Sequence, residues 1–240
     1  MDRRFNVLDT LDTLDTLAVE EPHYAMELWS GIHSLDASRV SNVYLVAGPP
    51  LTLVDTGPPG ALARLVQALD RAGVRAAAIE RIVLTHCDVD HVGNARALQL
   101  VSGAEVCAHA DDAPFITGAR PAAGPFARRA IAATWGRNVI PPRIDRLLRE
   151  GDDLAPLIVL HMPGHTPGHV GFRYGDALFS GDTVVGGRTL RPAPRPLTWD
   201  ETLARGSIAR IGTLDVDLLL PGHGTPVNDG ARRCRELMAR

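Results

Sequence analysis

Four side chains able to bind a metal ion crowd into the run Thr85-His86-Cys87-Asp88-Val89-Asp90-His91: His86, Asp88, Asp90 and His91. In an extended segment, side chains two apart share a face. His86 and Asp88 then point one way, and Cys87 and Val89 point the other, toward apolar packing. Asp90 and His91 lie in the turn that follows and aim elsewhere. One short segment could thus serve two metal centres, His86 and Asp88 at the first, Asp90 and His91 at the second. The plainer alternative is a solvated acidic turn with two incidental histidines.

Three later positions repeat one arrangement: a strand, a glycine, then one ligand-type residue. They are Pro163-Gly164-His165, Ser180-Gly181-Asp182 and Pro221-Gly222-His223-Gly224. Glycine ends a strand sharply and lets backbone approach a site closely. Each is weak evidence alone. With the central run they give seven nitrogen and oxygen donors: His86, Asp88, Asp90, His91, His165, Asp182 and His223. That set matches two metal ions sharing one carboxylate, and Asp182 is the natural bridge because a carboxylate has two oxygens.

The elements around these residues must position them. Residues 79–85 read as a buried strand and 91–101 as a helix, so the central run sits where a strand ends and a helix begins, a usual place for a site in an α/β fold. Residues 28–35, 41–47 and 51–55 read as three short strands. Leu62, Leu65, Val66 and Leu69 form one apolar helical face, with Gly73 as its C-terminal cap. Another strand is expected at 105–108. Residues 109–143 hold Pro114, Pro121, Pro125, Pro141 and Pro142 and read as an inserted lid or interface segment, with a helix over 125–135. Arg128 and Arg129 in that helix read as a solvated face. Strands are expected again at 146–148, 157–161, 170–174, 177–179 and 217–220, and helices at 198–214 and 230–240. Residues 191–197 read as a proline-rich surface loop. Leu-Asp-Thr occurs three times within residues 8–17. The expected organisation is a variable low-complexity leader over 1–27, then a single domain over 28–240.

Composition excludes several function classes. The net charge of −3 gives no general pull toward nucleic acid or an anionic membrane. All 25 basic residues are arginine, which rules out a lysine Schiff base or a P-loop lysine. Cys87, Cys107 and Cys234 have unrelated spacings, make no thiolate zinc motif, and suit a reducing compartment. No apolar run reaches transmembrane length, and the first residues lack the apolar core of a signal peptide. A cytoplasmic protein acting on a small molecule is expected. The 109–143 segment and the leader are the candidate homodimer contacts.

The ordered set of ligands resembles the metallo-β-lactamase superfamily, whose pattern is His-x-His-x-Asp-His, then a lone His, a Gly-Asp and a Gly-His. The resemblance covers about residues 28–226. It implies an α/β fold: a four-layer αβ/βα sandwich of two mixed sheets with helices outside and the metals at one edge. It assigns His86, Asp88 and His165 to one metal and Asp90, His91 and His223 to the other, with Asp182 shared. Asp55, in Leu53-Val54-Asp55-Thr56-Gly57, resembles a group that orients a ligand histidine. A helix cap is the other reading of it.

Position 88 departs from the family, with aspartate where histidine is usual. Three aspartates carry a formal −3 against +4 from two divalent ions, so the cluster should be a weaker Lewis acid and its water less acidic. Zinc is the first expectation, and the harder Asp88 admits iron or manganese. Asp88→His should then shift preference toward zinc. The resemblance implies a binuclear metal-dependent hydrolase in which a metal-bridged hydroxide attacks an ester, lactone, thioester or amide carbonyl, with Asp90 orienting the attack. The alternatives are a di-iron oxidoreductase of the same fold and a metal-binding protein without catalysis. His169 is expected to be structural. Arg188, Arg191 and Arg195 are candidates for an anionic substrate, with a solvated loop as the favoured reading.

Overall fold

The computed structural model describes residues 26–240. The Leu-Asp-Thr leader and its candidate dimer role lie outside these residues. Two sheets carry the fold. The first holds β1 (Met26–Trp29), β2 (Ile32–Leu35), β3 (Val43–Val46), β4 (Thr52–Val54), β5 (Arg81–Val83), β6 (Glu105–His109) and β7 (Arg146–Leu148) in that spatial order. Pairing is antiparallel from β1 to β4 and parallel from β4 to β7. The second sheet holds β8 (Ile158–His161), β9 (Val170–Tyr174), β10 (Ala177–Val185), β11 (Arg191–Pro192) and β12 (Leu218–His223). Here β12 runs parallel to β10, and the other pairs are antiparallel.

Strand alternation produces the layers. Leu45, Leu53, Ile82 and Val106 point outward from the first sheet, onto α1 (Leu62–Arg71) and α3 (Ala95–Ser102). Their neighbours Tyr44, Val54, Val83 and Cys107 point the other way, onto Val159, Phe172, Phe179 and Leu220 of the second sheet. Leu160, Leu178 and Leu219 leave that sheet outward, onto Ile208 and Ile211 of α6 (Glu201–Ile211) and Cys234 of α7 (Gly230–Met238). Helix, sheet, sheet and helix therefore stack around three apolar seams. Each seam follows from side chains pointing to opposite faces at successive positions. Among the described residues no helix is long and apolar enough to cross a membrane.

Three sequence expectations change. The strand expected over 28–35 is a hairpin, because Gly31 takes φ +78° and turns β1 back onto β2. The helix expected over 91–101 is split into α2 (Val89–Val92) and α3. The His91 carbonyl that would continue α2 accepts instead from the Thr56 N–H (2.7 Å) and the Thr56 hydroxyl (2.8 Å). The 109–143 segment contains α4 (Ala113–Ile116) and α5 (Phe126–Trp135), the latter as the sequence indicates. Yet the apolar side chains of α5 do not form its buried face. Phe126, Ile131 and Trp135 are exposed, and the buried residue is Arg128.

Candidate metal centre

The cluster lies where the two sheets meet at one edge. His86 follows β5, His165 follows β8, Asp182 lies within β10, and His223 ends β12. The β10–β12 register is irregular around Gly181, which takes φ +47°. Gly222 allows a close approach: a Cβ there would fall 2.2 Å from Asp182 Oδ1 and 2.7 Å from His91 Cε1. The strand just before it is clamped by the Asn42 amide and the Tyr44 hydroxyl, both donating to the Pro221 carbonyl at 2.8 Å.

All seven expected residues come together in two groups. At the first, Asp88 Oδ2 lies 3.0 Å from His165 Nε2 and 3.5 Å from His86 Nε2. At the second, His223 Nε2 lies 3.3 Å from both His91 Nε2 and Asp90 Oδ2. Asp182 stands between them. Its Oδ2 is 3.6 Å from His165 Nε2 and 3.2 Å from His223 Nε2, and its Oδ1 is 3.6 Å from His91 Nε2. A tetrahedral ion with bonds near 2.1 Å has ligand–ligand edges of about 3.4 Å, so these spacings suit one cation per group.

Histidine orientation supports the same reading. His91 Nδ1 donates to Asp55 Oδ2 at 2.8 Å. The Thr85 hydroxyl also donates to Asp55 Oδ2, and its oxygen lies 2.9 Å from His86 Nδ1. His223 Nδ1 donates to the Val40 carbonyl at 2.7 Å. With Nδ1 engaged, each ring turns an Nε2 lone pair into the cluster. His86 Nε2 and Asp182 Oδ1 are buried without any hydrogen-bond partner, a costly state unless a cation completes it. Asp55 is thus an orienting residue rather than a helix cap, and it serves two histidines. His169 Nε2 accepts from the Asp182 N–H at 2.9 Å, so its ring fixes the Asp182 backbone.

The cluster is strongly cation-seeking. Burial would lower both histidines, but Asp182 and Asp55 raise His91 to about 9. Asp182 and Asp90 raise His223 to about 11 against the same burial. Burial alone would push Asp182 up, but His91, His223 and His165 hold it well below the usual carboxylate range.

Two residues of this site escaped the sequence reading. Arg128 is 4% exposed, not solvated, and its guanidinium pairs with Asp88 Oδ1. Arg129 alone fits the solvated expectation. Asp112 is fully buried and receives the Cys87 N–H (2.9 Å), the Thr166 hydroxyl (2.6 Å) and the Gly168 N–H (2.7 Å). It ties the 86–91 turn to the 165–169 loop. An aspartate three residues past a strand gives no signal of this. A basic residue within an alanine-rich helix likewise reads as surface. Cys87 is half-buried against the outer core, as alternation implies, and lies 3.6 Å from Arg128. Of the three arginines after Asp182, Arg195 pairs with Glu201 at the surface, Arg191 is exposed in β11, and Arg188 lines a separate small depression. His109 and His161 stack on each other at 4.1 Å, with planes 14° apart.

A two-sheet sandwich with a histidine–aspartate cluster at one edge, arranged for divalent cations, defines a class of protein. The chain belongs to the metallo-β-lactamase superfamily, which it matches over residues 38–223. It is 27% identical over 229 residues to the probable metallo-hydrolase YflN of Bacillus subtilis, covering 84% of this chain and 86% of that one. It is 31% identical over 207 residues to the uncharacterized protein Mb2612c of Mycobacterium bovis, covering 80% and 89%. A metallo-β-lactamase family protein of Thermus thermophilus superposes with a TM-score of 0.70 at 26% identity, over 89% and 80% of the two chains. A second solved structure, TTHA1623 in a di-iron-bound form, superposes at 0.63 with 32% identity, over 80% and 91%.

Proposed function

We propose that this chain is a binuclear metal-dependent hydrolase acting on a carbonyl of a small molecule: an ester, lactone, thioester or amide. The observation that carries the reading is the pairing of two donor groups through Asp182, with histidine Nε2 atoms converging on each. His86, Asp88 and His165 would hold one ion, and Asp90, His91 and His223 the other. Divalent ions held there supply Lewis acidity to a carbonyl oxygen and lower the pKa of water.

The chain's own residues do the rest. Asp90 Oδ2 faces His223, and its side chain is partly open to the cavity. It is the residue placed to orient the attacking water and accept its proton. Ile131, Ala132, Trp135 and Leu197 wall a cavity of about 130 Å³ that opens on Asp88, Asp90, His165, Asp182 and His223. These apolar walls keep bulk water from the reacting carbonyl and favour a substrate with an apolar group beside it. A larger cavity of about 650 Å³ lies on the other side of α5 and shares Asp88, Val89 and Ala132 with the first. It offers room for an extended apolar portion.

A second reading is a di-iron oxidoreductase, favoured by the three aspartates of the cluster and by the relative in a di-iron-bound form. Elemental analysis of protein purified without added metal, with a lactone, ester, thioester and phosphodiester panel, separates the readings. Hydrolysis on zinc or manganese supports the proposal. Redox-active iron without hydrolysis favours the oxidoreductase. Bound metal with no turnover on any substrate favours a non-catalytic metal protein. We place the protein in the cytoplasm, and exposed Phe126 and Ile140 of the 109–143 segment are the side chains suited to a homodimer contact.

A further inference from the structure

We propose that Arg128 is a fixed counter-charge to Asp88, and that the two residues together take the place of one neutral ligand. The inference rests on the metal-site reading above and concerns how the first cation position tolerates an aspartate.

The placement of Arg128 is built rather than incidental. It comes from α5, 40 positions along the chain from Asp88, and it is buried. Nη1 donates to the His165 carbonyl at 3.0 Å and to the Leu197 carbonyl at 2.9 Å. Nη2 donates to Asp88 Oδ1 and lies 3.6 Å from Cys87 Sγ. Both terminal nitrogens are therefore committed to protein acceptors, which argues against Arg128 as a clamp for a substrate anion. Gly124 leaves room for the stem, since a Cβ there would lie 3.1 Å from Arg128 Cδ.

Only Oδ1 of Asp88 is engaged in this way. Oδ2 still faces His86 and His165. One carboxylate thus meets a permanent cation on one side and presents a donor oxygen on the other. An arginine cannot shed its charge in a protein, so the compensation is independent of pH. The charge count changes accordingly. Three aspartates give −3, and adding Arg128 gives −3 + 1 = −2, the value that a neutral histidine at position 88 would leave. The weaker Lewis acidity expected from Asp88 alone is therefore corrected by a residue on the lid helix.

This makes a specific demand on position 88. Replacing Asp88 with a neutral ligand leaves Arg128 buried beside two cations with no carboxylate to answer it. Arg128 should help in one background and harm in the other. The test is a double-mutant cycle of wild type, Asp88→His, Arg128→Met and the double variant. Each protein is stripped of metal, titrated calorimetrically with zinc, and unfolded in urea. The effect of Arg128→Met on the weaker zinc constant should be more favourable in the Asp88→His background than in wild type, by about tenfold or more. Asp88→His failing to fold while the double variant folds is the same coupling read through stability. Equal effects of Arg128→Met in both backgrounds would overturn the inference. If the double variant does not fold, Asp88→Asn with and without Arg128→Gln repeats the cycle with near-isosteric side chains and the same criterion. If wild type binds neither zinc, iron nor manganese, the metal-site reading itself fails and this inference fails with it; metal binding without the coupling overturns the inference alone.

Discussion

The Asp55 carboxylate lies 2.8 Å from His91 Nδ1, and Asp55 holds this position with a left-handed backbone, φ +62°. The same carboxylate receives the Thr85 N–H and hydroxyl, both at 2.8 Å. A non-glycine residue in this conformation is uncommon, and aspartate and asparagine tolerate it best. Asp55→Asn is therefore the informative change, because it spares the backbone and places an amide N–H against a ring N–H. It should weaken metal binding by about 10- to 100-fold, the usual cost of losing such an orienting partner. A competitive zinc titration measures this, and an unchanged constant would count against Asp55 as the orienting group.

Asp112 should matter as much for assembly as for stability. Asp112→Ala strands three donors, from Cys87, Thr166 and Gly168, in a fully buried position. Unsatisfied buried groups cost about 1–3 kcal/mol each, so a loss of about 3 kcal/mol or more is expected in urea unfolding. Because Asp112 joins the two ligand-bearing loops, the variant should also bind less metal at the His86–His165 position than at the other. A loss of under 1 kcal/mol would show that these loops hold themselves.

Gly222→Ala should separate the site from the fold. The added methyl would fall 2.2 Å from Asp182 Oδ1. The Asp182 carboxylate must then move. Circular dichroism should remain that of the parent while bound metal falls from two ions toward one or none. Retention of both ions would mean that Asp182 is not the shared ligand.

Metal-free protein should show an inverted pH response. His91 and His223 are raised from 6.5 to about 9 and about 11. For raised groups the stabilisation is complete below the unfolded value and is lost as pH climbs through the folded value. His169 and His165 are lowered, chiefly by burial, so they cost stability below 6.5, where the unfolded chain takes up the proton. Together these signs place the stability maximum near pH 6.5. Between pH 6.5 and 9.5 the two groups together should cost the metal-free protein on the order of 6 kcal/mol. Zinc-loaded protein should not, because metal binding displaces those protons. A metal-free melting temperature that rises over this interval would contradict the charge assignment.

How much of this was legible in the sequence depends on the range of the signal. Strand alternation alone separates Leu53 from Val54 and Ile82 from Val83 into different seams. The seven candidate ligands could be picked out because each sits in a short local motif at a strand end, and the fold brings them together. What stayed hidden was set by contacts between distant segments. Thr56 takes the His91 carbonyl and cuts the expected helix in two. Asp112 and Arg128 act on loops 25 and 40 residues away, and neither carries a local pattern that distinguishes it from a surface charge. Position 88 shows the consequence most directly. Read locally, its aspartate weakens the cluster, whereas in the fold it pairs with Arg128 of α5.

Anomalous scattering from crystals soaked in zinc tests the central claim most directly. The account predicts two strong peaks per chain, one bounded by His86, Asp88 and His165 and one by Asp90, His91 and His223, with Asp182 between them. A peak pair that shares some other residue, ions bound only at the surface, or no ordered ion in fully loaded protein would contradict it.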